Sequence, residues 1–306
     1  MELRRLGRSG IKVSPLGLGT ARMAGLGWRD DVASRVSPEG RREAVRQIQA
    51  AVDWGVTFFD TAESYGQGVC ESILGEALRG RRQGIIVATK FGENPLPDQE
   101  DPWYLDAGHI EQACEASLRR LEVECIDLYL LHRRDYPLDR ATALMDVLED
   151  LVREGKIRYY GWSTDDVARA RLFAGGKHCI AIEHRLNVFN DHAAMLDLCR
   201  EQDLASLNRV PLLMGVLAGS WSPETKLEQD DPRAAWFEHA EFRQLLECAQ
   251  QIRPYLTRDG RSYVQGALGW IWARSPLTIP LPGFRNMEQV RELVLAREFS
   301  PLPADV

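Results

Sequence analysis

The chain has 306 residues, a formal net charge of −7, and 44% hydrophobic against 27% charged residues, an ordinary globular balance. The charge argues against nucleic-acid binding, which rests on clustered Lys and Arg, and no apolar stretch reaches the about 18 residues of a membrane span. Six cysteines (Cys70, Cys114, Cys125, Cys179, Cys199, Cys248) form no CxxC pair, and "MELRRLGRSG" lacks the apolar region of a signal peptide, so the expectation is a cytoplasmic protein with free thiols.

Short β-rich runs alternate with amphipathic helix patterns along the whole chain. The first strand candidate is "VSPLGLGT" (13–20), followed by the helix pattern "PEGRREAVRQIQAAVDWG", with proline near its start and glycine past its end. Then come "TFFDT" (57–61), "GIIVATKFG" (84–92), "CIDLYLLH" (125–132), "IRYYGWST" (157–164), "CIAIEHRL" (179–186), "LASLNRV" (204–210) and "LTIPLPG" (277–283). Helix patterns such as "HIEQACEASLRRLEV", "RATALMDVLEDLVREG" and "HAAMLDLCREQD" fill the gaps. A Pro/Gly-rich loop (215–235) and two helix patterns (about 238–257 and 261–274) follow the seventh strand.

Eight such units imply parallel strands joined by crossover helices. With no linker dividing it, residues 1–306 fit one (β/α)8 TIM barrel of about 250 residues plus loops. A doubly wound sheet lacks support, because "GLGTARMAG" does not match GxGxxG. No metal site is expected: in "HCIAIEH" the alternation of a strand splits His178, Cys179 and His184 across two faces, a spacing that fits no familiar zinc pattern.

Active sites of this architecture stand at the C-terminal strand ends. The second strand there delivers Asp60 and then Tyr65, the third Lys90, the fourth His132. Singly these are a capping Asp, a surface Lys and half-buried Tyr and His; together at one rim they suit carbonyl reduction. Lys90 lowers the Tyr65 pKa, Asp60 holds Lys90 charged, His132 orients the substrate oxygen, and Tyr65 donates the proton. The hydride must come from a cofactor.

"RRLGRSGIKVSPLGLGT", "FFDTAESYG", "ATKFG", "IDLYLLH", "LVREGKIRYYGWS" and "IPLPGFRNMEQVREL" together resemble an aldo-keto reductase, in order and across nearly the whole chain. The resemblance is to the bacterial branch similar to the potassium-channel β-subunit. It implies a barrel with an N-terminal β-hairpin, an extra helix near the C-terminus, and an Asp–Tyr–Lys–His tetrad falling on Asp60, Tyr65, Lys90 and His132. It also implies NADP(H) lying across the barrel mouth, with Gly19, Thr20 and Asp60 on the nicotinamide ribose side. Ser163 matches a hydroxyl that holds the carboxamide; the usual Asn neighbour is here Thr164. Glu183 stands where Gln is usual, and Arg209 where an aromatic stacks on the nicotinamide. Leu212, Gly215 and Leu217 match the pyrophosphate loop. Gly283, Arg285 and Gln289 match the turn that holds the 2′-phosphate, and Glu292 the adenine contact, which implies NADPH over NADH.

For the small-molecule carbonyl substrate, Trp28, Trp103 and Tyr104 are candidate pocket walls. Arg133, where the family commonly has Trp, either binds an anionic substrate group or pairs with Glu93 or Asp135. Two other readings stay open: a cofactor-binding redox-sensing module with little turnover, and a Schiff-base enzyme using Lys90.

Overall fold

The computed structural model describes residues 2–23, 36–93, 101, 103–219, 221–226, 234–299 and 301–303. Two short strands, β1 (Arg4–Arg5) and β2 (Lys12–Val13), pair antiparallel as the expected hairpin. Eight more run parallel in chain order: β3 (Leu18–Gly19), β4 (Phe58–Asp60), β5 (Ile86–Phe91), β6 (Ile126–Leu131), β7 (Ile157–Ser163), β8 (Cys179–Arg185), β9 (Ala205–Arg209) and β10 (Thr278–Pro280). The expected first strand over 13–20 is two pieces. Val13 ends the hairpin, and the chain bends at Pro15, which has no N–H to give a ladder, before Leu18.

The barrel closes between β3 and β10. Gly17 N–H donates to Pro280 O (3.1 Å) and Gly19 N–H to Pro282 O (3.0 Å), and Gly19 pairs with Gly283 in parallel register. A Cβ on Gly17 would stand 2.6 Å from the side chains of Leu281 and Phe58, so glycine at this position lets the two ends of the sheet approach.

Among the described residues, helices α1 (Pro38–Asp53), α2 (Val69–Leu78), α3 (Ala107–Leu121), α4 (Leu138–Arg153), α5 (Val167–Ala174) and α6 (Ala193–Glu201) each follow one barrel strand in turn. After β9 two helices appear in place of one, α7 (Ala240–Leu256) and α8 (Tyr263–Arg274), and α9 (Met287–Leu295) follows β10. Several of their starts are fixed by polar caps. Ser37 accepts from Gly40 N–H ahead of Pro38, and Ser262 and Gln265 form a reciprocal capping box. No helix among the described residues is long and apolar enough to cross a membrane, and none of the six cysteines is in a disulfide among the described residues.

Alternation along each strand sorts the core into two layers. Phe59, Val87, Phe91, Tyr129 and Leu131 point outward and pack against the helices. Phe58, Ile86, Ala88, Leu128 and Leu130 point inward and pack with Leu207 and Ile279. Leu6 and Val13 of the hairpin are fully buried against this inner layer, and a Cβ on Gly7 would run into the backbone of Ile180, so the hairpin covers the N-terminal floor of the barrel.

Candidate active site

The inward series continues past the apolar residues to the opposite, C-terminal rim. Two residues beyond Phe58 stands Asp60, two beyond Ala88 stands Lys90, two beyond Leu130 stands His132, and two beyond Gly161 stands Ser163. An apolar strand can end in a carboxylate here because the next inward position opens on a cavity of about 640 Å³. Lys90 is fully buried. Its Nζ donates to both Asp60 oxygens at 2.6 Å and to Thr61 O at 3.0 Å, with Tyr65 Oη at 3.4 Å. Tyr65 reaches the cluster from a turn in which its N–H bonds Ala62 O, and its ring meets that of His132 edge-on at 5.7 Å.

A second carboxylate crowds this ammonium. Glu183, 2% exposed at the end of β8, places Oε2 3.3 Å from Lys90 Nζ, while Oε1 accepts from Ser163 Oγ at 3.1 Å. Burial works to lower the Lys90 pKa, but Asp60 and Glu183 hold it well above the ordinary lysine value. Lys90 is therefore an ammonium with no free amine for Schiff-base chemistry. Burial pushes the Asp60 carboxyl up to about 8, against the pull of Lys90 and with the push of Glu183. The two acids share the field of one cation and titrate as a pair.

The expectation that Lys90 lowers the Tyr65 pKa is corrected in its net effect. Lys90 does pull it down, but burial, Asp60 and Glu183 outweigh it, and the phenol sits well above its ordinary value. Tyr65 is protonated at neutral pH, which is the state a proton donor needs.

His132 is oriented by a residue that sequence reasoning had set beside Arg133. Glu93 Oε2 lies 2.8 Å from His132 Nδ1 and accepts from Ser64 Oγ at 2.9 Å. Burial acts to raise the Glu93 carboxyl, yet these bonds bring it down to about 2. With Nδ1 spent on Glu93, the other ring nitrogen, Nε2, is left for the cavity.

Most of the expected cofactor positions surround this one cavity. Gly19, Asp60, Ser163, Glu183 and Arg209 line its strand-end side. Leu212, Gly215, Gly283, Arg285, Gln289 and Glu292 line the rest. Gly215 adopts φ +112°, open to glycine, and faces the ring of Trp221. At the start of α9, Asn286 caps Gln289 N–H and the Gln289 side chain accepts from Arg285 N–H at 2.9 Å, fixing a helix N-terminus at the cavity edge. Thr20 and Leu217 do not line it. Thr20 is fully buried and donates its N–H to Asp60 O. Leu217 packs against Leu256 and Tyr263 with its N–H on Leu212 O at 3.2 Å. Arg209 faces the cavity tied by an ion pair to Asp165.

The substrate-side expectations need more correction. Arg133 does not line the cavity: its Nε donates to Gly92 O, and its own carbonyl accepts from Trp162 Nε1. The cavity residue is its neighbour Arg134, joined at the rim by Arg185. Trp103 packs edge-on to Tyr136 at 6.4 Å, outside the cavity lining, and Tyr104 donates to Asp106. Trp28 lies outside the described residues. Sequence reasoning also missed Arg22, which lies against Gly283 at the same edge as Arg285. Among the described residues no group of three or more His, Cys, Asp and Glu is placed to hold a metal.

Known proteins resemble the chain along most of its length. The chain is 31% identical over 304 residues to the aldo-keto reductase str7 of Strobilurus tenacellus, covering 96% of this chain and 86% of that one. It is 31% identical over 268 residues to the aldo-keto reductase yakc [NADP(+)] of Schizosaccharomyces pombe, covering 84% and 77%. Among solved structures, an aldo-keto reductase from Klebsiella pneumoniae in complex with NADPH superposes with a TM-score of 0.71 at 27% identity, over 99% of this chain and 92% of that one. The model of the aldo/keto reductase family matches residues 15–306, the stretch that holds all eight barrel strands and all four rim groups, and the chain belongs to that family.

Proposed function

We propose that the chain, as one catalytic domain over 1–306, is an NADPH-dependent oxidoreductase that reduces an aldehyde or ketone to the alcohol, with Tyr65 as the general acid. The observation that carries this reading is the Tyr65 hydroxyl, kept as a phenol and 3.4 Å from an ammonium that Asp60 fixes, in a cavity shared with His132. The printed names of the Schizosaccharomyces pombe and Klebsiella pneumoniae relatives support the choice of cofactor.

The residues present fit an extended anionic nucleotide. Ser163 and the buried, unbonded Glu183 Oε2 would hold the carboxamide, and Glu183 can accept from its NH2. Arg285 and the α9 N-terminus, with Arg22 beside them, would hold a 2′-phosphate. Gln289 would join them at the 2′-phosphate, and Glu292 would reach the adenine. The bound nicotinamide supplies a hydride to the carbonyl carbon. Asp60 fixes Lys90, Lys90 fixes and polarises the Tyr65 hydroxyl, and Tyr65 gives its proton to the oxygen that gains charge. His132, steered by Glu93, directs that oxygen toward Tyr65. Proton transfer of this kind contributes about 10²–10⁴-fold.

The test is titration of the protein with NADPH and with NADH, followed by fluorescence, and an aldehyde and ketone panel on the same sample. Tight NADPH binding with turnover is expected. Tight binding with no turnover of any carbonyl compound leaves only a nucleotide-binding module and overturns the enzymatic reading.

A further inference from the structure

Charge at the bottom of the cavity does not balance. Lys90 has three N–H bonds to give. Asp60, Thr61 O and Tyr65 Oη share them, and Glu183 Oε2, although 3.3 Å away, accepts no hydrogen bond. One buried cation thus serves two buried carboxylates. Arg209 from β9 is paired with Asp165, His132 from β6 with Glu93, and Ser163 from β7 and Tyr65 are neutral. Burial pushes the Glu183 carboxyl up, but Lys90, His132 and Arg209 outweigh it and hold it below its ordinary value, so the excess falls on Asp60. Arg134 and Arg185 stand exposed at the rim.

A surplus negative charge in a site this dry is costly, and it is relieved by taking up a proton or by admitting a cation. A nicotinamide ring is cationic when oxidised and neutral when reduced. This inference rests on the reading above, in which the ring lies against Ser163 and Glu183.

We propose that Glu183 makes the site a sensor of nicotinamide charge: it favours the oxidised over the reduced cofactor, and binding of the oxidised form expels a proton from the Asp60–Glu183 pair. The Asp60 carboxyl raised to about 8 agrees with a proton stored there until the cation arrives. Two consequences follow for the reaction. The equilibrium on the protein shifts toward alcohol and oxidised cofactor, so the bound reduced cofactor is a stronger reductant than the free one. The oxidised nucleotide is then the slow one to leave.

Affinities for NADPH and NADP⁺ are measured on the intact protein at pH 6.5 and 8.5. Calorimetry in two buffers of different ionisation enthalpy counts the protons released. Both nucleotides carry the same 2′-phosphate, so its titration cancels in their ratio. The affinity ratio of NADP⁺ to NADPH is expected to rise about ten-fold between these pH values, with a fraction of a proton released at neutral pH by NADP⁺ and none by NADPH. Glu183→Gln, which keeps the side-chain shape, is expected to flatten the ratio by weakening NADP⁺ more than NADPH. Identical pH dependence for the two forms in the unaltered protein, or equal losses in Glu183→Gln, overturns the proposal. Failure of either nucleotide to bind the unaltered protein overturns the cofactor reading itself, and this proposal with it.

Discussion

Glu93 and His132 form a 2.8 Å pair at the cavity rim, and the pair holds Nδ1 of a buried ring on the carboxylate so that Nε2 is left for the cavity. Glu93→Gln keeps the volume and removes the charge. A charge-assisted hydrogen bond is worth about 1.5–3 kcal/mol, so kcat/KM for carbonyl reduction is expected to fall about ten- to a hundred-fold, with NADPH affinity within a few-fold. Unchanged kcat/KM would show that His132 needs no aiming.

Tyr65→Phe removes one oxygen and keeps the ring that packs against Cys70. Carbonyl reduction is expected to fall by about 10²–10⁴-fold, while nucleotide binding measured by fluorescence stays within a few-fold. Near-normal turnover would falsify Tyr65 as the proton donor.

Much of this site was legible because strand alternation carries information up to the last residue of a strand. Asp60, Lys90, His132 and Ser163 are each an even number of residues beyond an inward apolar neighbour, and a two-residue period survives inspection of the bare sequence. One residue further on, that rule expires. Arg133 and Arg134 are chemically alike, and only the turn after β6 decides that the first folds back onto Gly92 O while the second faces the cavity. Glu93 follows a glycine at φ +91°, so its direction was equally unreadable. Leu217 fails for a related reason: the 3₁₀ turn spends its N–H on Leu212 O. The opening strand and the hairpin merged because Val13, Leu16 and Leu18 read as one apolar series, broken only by Ser14 and Pro15.

The two arginines can be told apart by substrate charge. Arg134→Ala is expected to cost carbonyl substrates bearing a carboxylate or phosphate about ten-fold in kcat/KM, and neutral aldehydes little. Arg133→Ala is expected to affect both classes alike, through loss of its bond to Gly92 O. The reverse pattern in paired kinetics would restore Arg133 to the pocket.

Arg285, with Arg22 beside Gly283, makes the α9 end of the cavity the place for a phosphate. Arg285→Ala is expected to weaken NADPH about ten-fold and NADH hardly at all. Equal affinity of the unaltered protein for the two nucleotides would sink this assignment.

Stability should carry the mark of the crowded carboxylates. The native Asp60 carboxyl, raised to about 8, keeps a proton that the unfolded chain releases near 4, so its contribution is full below about pH 4 and is lost as pH rises toward 8. His184 works the other way. Burial depresses it to about 4, so its contribution rises with pH and is complete above about 6.5. Between pH 6.5 and 8 the Asp60–Glu183 pair is left to dominate, and urea unfolding is expected to show stability falling by at most about 1.4 kcal/mol per pH unit. Glu183→Gln should flatten that slope. Stability that is constant or rising over this interval would mean that the pair holds no extra proton.

The inner apolar layer, with the hairpin's Leu6 and Val13 packed beneath it, makes the described barrel a cup that opens at its C-terminal rim. Whatever rests deepest, against Ser163 and Glu183, must enter first and depart last, because anything seated at the rim beside Arg134 blocks its way. Product inhibition should therefore reveal compulsory order, nucleotide before carbonyl compound and alcohol out before nucleotide, a sequence of events set by a floor packed shut at the far end of the molecule.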